Sequence, residues 1–288
     1  MPRNIATGSG EISVACNVCG ASEERLIAVQ NSYRVVACAQ CGFVYVNPRP
    51  DEKTLAGLYL SYLPDKMEDP ESWQDYMKTV FSNAAAEIAR RAPKGGSVLD
   101  IGCGYGFFLD EMRERGFAAS GMDVSKTAVG YAAKRGFDVR LGTLDTVALA
   151  DGSFDVVTMF YVLEHIPDPL KALLQVKRIL RPGGFLLLRL PHTTPIVKAL
   201  SVLGINNNLY DPPFHLNDFS AASIKTLLQK AGFTGAHTFI GGVTRPPEDL
   251  KRAVTLGFGL IAEALYMLSF GRIAMPGVAK NTTAYKPR

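Results

Sequence analysis

The stretch Val98-Leu99-Asp100-Ile101-Gly102-Cys103-Gly104-Tyr105-Gly106 decides how this chain is read. An apolar run carrying one carboxylate passes straight into a glycine turn. Glycine lacks Cβ and tolerates positive φ, so such a turn lets a ligand approach the backbone. The spacing narrows the ligand. A dinucleotide fingerprint, G-x-G-x-x-G, needs glycine at position 107. That position holds Phe107, and the third glycine arrives one residue early, at Gly106. Asp100 sets an acid beside the turn. A carboxylate suits a cationic or hydroxyl-rich group better than a pyrophosphate, which takes bare N–H groups.

Outward from the turn, strand and helix patterns alternate. Ser97–Ile101, Phe117–Asp123, Asp138–Leu141, Phe154–Phe160 and Phe185–Leu190 read as strands. Helices are expected over Phe107–Arg115, Lys126–Arg135 and Leu170–Leu180. Such alternation specifies a parallel sheet covered by helices on both faces. Ligands in such sheets sit beyond the carboxyl ends of the strands, where the strand order reverses. Asp123 closes the second strand, and an acid there accepts both hydroxyls of a ribose. Residues 191–217 break the rhythm. They are rich in Pro, Asn and His and read as a lid or substrate loop. A helix over Ser220–Ala231 and strands over Thr234–Ile240 and Thr282–Lys286 follow, with an apolar helical segment at 248–271 between the last two.

Upstream, residues 1–14 read as disordered. Cys16-Asn17-Val18-Cys19-Gly20 and Cys38-Ala39-Gln40-Cys41-Gly42 then form two C-x2-C pairs, each followed by glycine. Four thiolates at this spacing suit one tetrahedral Zn²⁺, and the glycines allow tight knuckles that aim N–H groups at sulfur. A closed four-thiolate site folds its module and leaves no position for catalysis. The zinc-ribbon-like module is set at 15–50, and a helical extension at 51–96 carries Tyr59 and Tyr62. The fifth cysteine, Cys103, reads as a small filler in the glycine turn.

The chain has 288 residues, 47% hydrophobic, enough for one large domain plus a small module. Its net charge of +4 is that of an ordinary surface. The absence of a dense basic stripe with interleaved aromatics argues against a nucleic-acid partner. The sequence shows neither a signal-peptide pattern nor a membrane-length apolar run, so a cytoplasmic protein is expected.

Three further blocks follow the turn: Gly152-Ser153-Phe154-Asp155, Leu163-Glu164-His165-Ile166-Pro167-Asp168-Pro169 and Leu180-Arg181-Pro182-Gly183-Gly184. Together with the turn they resemble the motifs of class I S-adenosylmethionine (SAM) methyltransferases over residues 97–190. The cysteine module, Asn47-Pro48-Arg49-Pro50 and His215–Phe219 resemble a bacterial subgroup of that family. The resemblance implies a Rossmann-like, doubly wound seven-stranded α/β sheet with the last strand antiparallel, in a domain over 97–288. It implies SAM as cofactor. Asp100, Gly102, Cys103 and Gly104 would lie at its methionine part, Asp123 at the ribose and Val124 on the adenine. Thr143 and Leu144 would flank the adenine edge. The family commonly has an acid after the third strand, so adenine would here be read by backbone groups. Phe160 and Tyr161 would face the sulfonium and the acceptor.

The implied chemistry is in-line displacement at the sulfonium methyl. Positioning supplies most of the rate, and a base is needed only for a hydroxyl or activated carbon. His165, at the cleft, and His215, closing the insert, are candidates together with Tyr161. His192 opens the insert, and His237 reads as structural. The plainer alternatives are a hydrogen-bonded helix-start residue for His165 and a backbone-bonded loop residue for His215. Glu164-His165 also resembles the ubiquinone-pathway O-methyltransferases, which hold a divalent metal there. Their further acid aligns with Tyr161, leaving that ligand set incomplete.

Residues 250–270 read as core packing or a homodimer face, or else as an interfacial helix at a membrane surface. The expected function is SAM-dependent methyl transfer to O, N or C of a small-molecule, sugar or lipid-linked acceptor. An NAD-dependent oxidoreductase is the alternative, opposed by Phe107 and the Arg181–Gly184 block. A SAM-fold binding module without activity is the third reading.

Overall fold

In the computed structural model the described residues are 5–6, 10–66, 69–246, 248–269 and 279–288. Strand β1 (Ile5–Ala6) pairs with β2 (Glu11–Ser13). Strands β3 (Glu24–Gln30), β4 (Tyr33–Cys38) and β5 (Val44–Val46) form an antiparallel meander, and β6 (Arg49–Pro50) returns onto β2. Of the stretch 1–14 expected as disordered, Ile5–Ala6 and Glu11–Ser13 are strands, and residues 1–4 and 7–9 lie outside the described residues. Glu11–Ser13 finds a partner strand, and the Val14 amide donates to Asn47 Oδ1 at 2.9 Å.

Helices α1 (Glu52–Lys66) and α2 (Pro70–Arg91) follow. Asp69 caps α2, its carboxylate accepting from the amides of Glu71 and Ser72, with Pro70 at the first helical position. Met77, Val80, Phe81, Ala84 and Ile88 recur at helical spacing and are buried.

The central sheet is built from β7 (Ser97–Ile101), α3 (Phe107–Glu114), β8 (Ala118–Asp123), α4 (Lys126–Lys134), β9 (Asp138–Leu141), β10 (Phe154–Phe160), α5 (Pro169–Ile179) and β11 (Leu180–Leu190). Then come α6 (Thr194–Val202), β12 (Asn217–Asp218), α7 (Ala221–Lys230), β13 (Thr234–Phe239), α8 (Asp249–Leu268) and β14 (Lys280–Tyr285). The sheet order is β13-β14-β11-β10-β7-β8-β9. The last strand, β14, runs antiparallel to both β11 and β13, while the other pairs are parallel, as expected. The order reverses between β7 and β10, which opens a crevice at their carboxyl ends.

Two expectations about the insert region change. Strand β11 begins at Leu180, directly after α5. Leu180 pairs with Phe154, and a register shift carries Arg181–Gly184 before Phe185 meets Val156. The insert is not all loop: it holds α6, and its end supplies β12. That strand pairs with β5, so the cysteine module and the insert share one sheet. Phe43 of the module packs on Phe219, ring centroids 5.3 Å apart, and both belong to the main core. Lys230 donates to the Val18 carbonyl. The module is therefore continuous with the sheet domain at its insert.

The core reading of 250–270 fits only one stripe of α8. Ala262 is buried, but Phe258, Leu260, Ile261, Met267 and Leu268 are all more than half exposed. Side chains of Tyr62, Leu250, Val254 and Phe270, and residue 271, lie outside the described residues. No described helix is long and apolar enough to cross a membrane.

Candidate active site

The glycine turn is fastened to the neighbouring strand. The amides of Gly102 and Cys103 both donate to the Met122 carbonyl, at 2.8 and 3.1 Å. Gly102 has φ +76°, and a Cβ there would stand 2.3 Å from Val162 Cγ2. Only glycine meets both conditions without strain. Cys103 is the filler that the sequence suggests. It packs on Gly121, where an added Cβ would lie 2.6 Å from its sulfur, and burial pushes its thiol pKa up.

Two acids flank the turn. Asp100 accepts from Thr158 Oγ1 at 2.6 Å. Burial, offset in part by Thr158 and reinforced by Asp123, pushes its pKa to about 8. Asp123 accepts from the Gly104 amide at 2.9 Å and the Ser125 amide at 2.8 Å. Burial raises its pKa, while these amides oppose the rise.

A cavity of about 1210 Å³ opens over the carboxyl ends of the strands. Single-ligand pockets run to roughly 300–1,000 Å³, so there is room for a cofactor and a second molecule. Asp100, Gly102, Cys103, Gly104, Asp123, Val124, Thr143, Leu144, Phe160, Tyr161, His165 and His215 all line it. The Thr143 amide is already bound to Thr146 Oγ1 at 2.8 Å, which removes one backbone group from the expected adenine edge. Asp145, two residues on, lines the cavity too. It is engaged by Lys171 at 2.8 Å and was not singled out by sequence reasoning. Neither were Trp73, Tyr76 and Arg189, because each sits in a pattern that also reads as helix face or strand interior.

The insert brings His215 onto His165. Their ring centroids lie 4.8 Å apart. His165 Nδ1 lies 3.0 Å from the Phe214 carbonyl. A carbonyl only accepts, so Nδ1 carries the proton and Nε2 holds the lone pair. Burial, then His215, pushes the His165 pKa down to about 3. Tyr59 donates to the same carbonyl at 3.0 Å and meets the His165 ring edge-on, 5.9 Å between centroids. Glu164 is fully buried, and among the described residues neither carboxylate oxygen has a hydrogen-bond partner. Burial pushes its pKa to about 8. Glu164, His165 and His215 offer ligand atoms within 4.8 Å of one another. The further acid of the ubiquinone-pathway enzymes aligns with Tyr161, and the group that stands beside Glu164 and His165 here is an imidazole from the insert. Tyr161 turns instead to Arg189, whose Nε donates to its hydroxyl at 2.8 Å. His192 lines the cavity with Nδ1 2.8 Å from Lys280 Nζ. His237 stacks on Phe239.

In the cysteine module, Cys16 and Cys41 sulfurs stand 3.5 Å apart and those of Cys19 and Cys38 3.4 Å apart. Tetrahedral zinc holds thiolates at about 2.3 Å, hence about 3.8 Å from each other. Backbone amides of Val18 and Cys19 point at Cys16, and those of Gln40 and Cys41 at Cys38. The four sulfurs and this amide shell fit a zinc ion.

A family model described as a methyltransferase domain matches residues 73–238. A ubiquinone biosynthesis O-methyltransferase of Xanthomonas axonopodis pv. citri is 34% identical over 155 residues, 50% of this chain and 65% of that protein. A protein of Mycolicibacterium smegmatis named as an S-adenosylmethionine-dependent methyltransferase is 30% identical over 188 residues, 65% of each. The matches therefore span just under two thirds of these relatives. Among solved structures, a Haloferax volcanii methyltransferase complex with the Trm112 activator superposes with TM-score 0.54 at 20% identity, covering 81% of this chain and 98% of that one. Haemonchus contortus phosphoethanolamine N-methyltransferase 2 with bound S-adenosyl-L-methionine gives 0.53 at 17% identity, covering 85% and 63%. These structures share the fold. The family match decides against the oxidoreductase reading. The chain belongs to the class I SAM-dependent methyltransferases.

Proposed function

We propose that this protein binds SAM along the glycine turn and moves its methyl to O, N or C of a small-molecule, sugar or lipid-linked acceptor. The observation that carries this reading is Asp123, held between the Gly104 and Ser125 amides at the cavity wall. Its carboxylate accepts the two ribose hydroxyls. Asp100 and the Gly102–Gly104 backbone hold the methionine part, and Val124, Thr143 and Leu144 bracket the adenine. Phe160 and Tyr161 border the sulfonium. The acceptor lone pair attacks the methyl carbon while the carbon–sulfur bond breaks and leaves a neutral thioether. If the acceptor starts as O–H, N–H or C–H, its proton passes to the Nε2 lone pair of His165 or to His215.

Glu164 favours a second reading. A buried carboxylate with two unpartnered oxygens beside two imidazoles is a donor set for a divalent cation. Glu164, His165 and His215 would hold it, and when bound it would acidify a coordinated acceptor hydroxyl. Cys16, Cys19, Cys38 and Cys41 are proposed to hold a structural zinc, in keeping with a reducing cytoplasm. The apolar face of α8 is proposed to rest on a membrane surface beside the cavity, which Phe258 also lines. Liposome cosedimentation tests this; a dimer with no liposome binding would assign the face to a second copy.

The deciding experiment is turnover of SAM to S-adenosylhomocysteine (SAH) with candidate acceptors, with and without chelator. Product formation supports the reading, and loss on chelation favours the cation. SAH binding with no turnover on any acceptor would favour a binding module.

A further inference from the structure

One wall of the cavity holds a buried cation with no anion beside it among the described residues. Arg189 is 1% exposed yet lines the cavity. Its guanidinium donates to Tyr161 Oη at 2.8 Å, Asn281 Oδ1 at 3.0 Å, and the carbonyls of Gly242 at 2.9 Å and Gly241 at 3.4 Å. All four acceptors are neutral. Among the described residues no carboxylate pairs with it. Carbonyls satisfy N–H groups but leave the net charge in place, and a buried charge without a counterion is costly. Four of the five N–H groups are used; the remaining one is on Nη2.

Tyr161 adds a donor. Its oxygen accepts from Arg189, so its own proton points elsewhere, and no described residue accepts it. Burial keeps the phenol protonated. The residue is held at φ +57°, a conformation that costs energy for any side chain but glycine and gathers at ligand sites. The position separates Arg189 from the cofactor turn. Arg189 lies on β11, two strands from β7 in the sheet order, roughly 10 Å at about 4.8 Å per strand. The turn end of the cavity carries the acids Asp100 and Asp123, and this end carries the cation. Tyr76, Phe81 and Phe258 line the same cavity and supply aromatic surface.

We propose that the methyl acceptor is an organic anion, a carboxylate or a phosphate ester with an apolar body, whose charged group is held by Arg189 and the Tyr161 hydroxyl. This rests on the methyltransferase reading above and adds the acceptor's class to it.

The test uses the full chain saturated with SAH, titrated by calorimetry with phenylacetate, phenyl phosphate and neutral phenylacetamide. One anion should bind at least about tenfold more tightly than the amide, and which one does so tells carboxylate from phosphate. Arg189→Met should abolish that preference at unchanged SAH affinity. Tyr161→Phe, which leaves Arg189 in place, should weaken the preferred anion about three- to tenfold, and it decides the matter if the Arg189 variant does not fold. Equal binding of amide and anions, or no binding by any of the three, would overturn the proposal. So would an Arg189 variant that loses SAH as strongly as anion, since the cation would then belong to the cofactor carboxylate. Wild-type SAH binding without anion preference removes this inference alone. Failure to bind SAH removes the methyltransferase reading itself.

Discussion

His165 and His215 meet with ring centroids 4.8 Å apart, one just past β10 and the other at the end of the insert. The Phe214 carbonyl fixes the His165 tautomer, with the proton on Nδ1, and both rings line the cavity. The insert thus contributes His215 to the cavity wall.

Replacing either histidine should therefore separate binding from chemistry. His215→Ala and His165→Ala are expected to keep SAH affinity within about twofold while lowering kcat by roughly 10²–10⁴, the range of a lost acid–base group. Calorimetry and SAM turnover measure the two quantities. Unchanged kcat in both variants would remove the histidines from the mechanism.

Gly102→Ala should destabilise the protein and weaken SAM binding. The positive φ costs on the order of 1–3 kcal/mol for alanine, and the new Cβ meets Val162 Cγ2 at 2.3 Å. Adding Val162→Ala relieves the contact but not the backbone strain. The double variant should recover part of the loss in chemical denaturation; full recovery would mean that the backbone term is negligible.

The zinc proposal predicts about one zinc per chain by metal analysis and a lower melting temperature after chelation at neutral pH. Cys38→Ser should act likewise. Because β12 ties the module's sheet to the insert, metal loss should also reduce turnover through His215. A metal-free protein with unchanged melting and activity contradicts this.

Burial of Asp100 makes stability depend on pH. Its carboxyl ionises near 4 in the unfolded chain but holds its proton to about 8 when folded. Between these values the unfolded state binds fewer protons, so this contribution is full below pH 4 and is lost as pH rises to 8. Asp123 acts in the same direction. Asp100→Asn should gain stability relative to wild type, on the order of a few kcal/mol, on going from pH 5 to pH 8. Urea unfolding at both pH values measures it, and parallel curves would refute the assignment.

The sheet was readable because its signals are local. Phe154–Phe160 is bracketed by Asp151-Gly152-Ser153 and Leu163-Glu164, and Asp138–Leu141 by Gly136 and Gly142; both strands lie where their sequences put them. The glycine turn and Asp123 were readable for the same reason. What was not readable depends on distant partners. Nothing local in Asn217-Asp218 announces that it will pair with Val44-Tyr45. Arg189 sits in an apolar strand and becomes notable only through its neutral partners. His215 joins Glu164 and His165 only because the insert folds back over β10.

The most direct test of the account is calorimetric titration of the wild type and Asp123→Ala with SAH and with NAD. The account predicts one SAH site per chain, no NAD binding, and a loss of about ten- to a hundredfold in SAH affinity when the ribose carboxylate is removed, the range of one or two charge-assisted hydrogen bonds. NAD binding in place of SAH, or SAH affinity indifferent to Asp123, would contradict it.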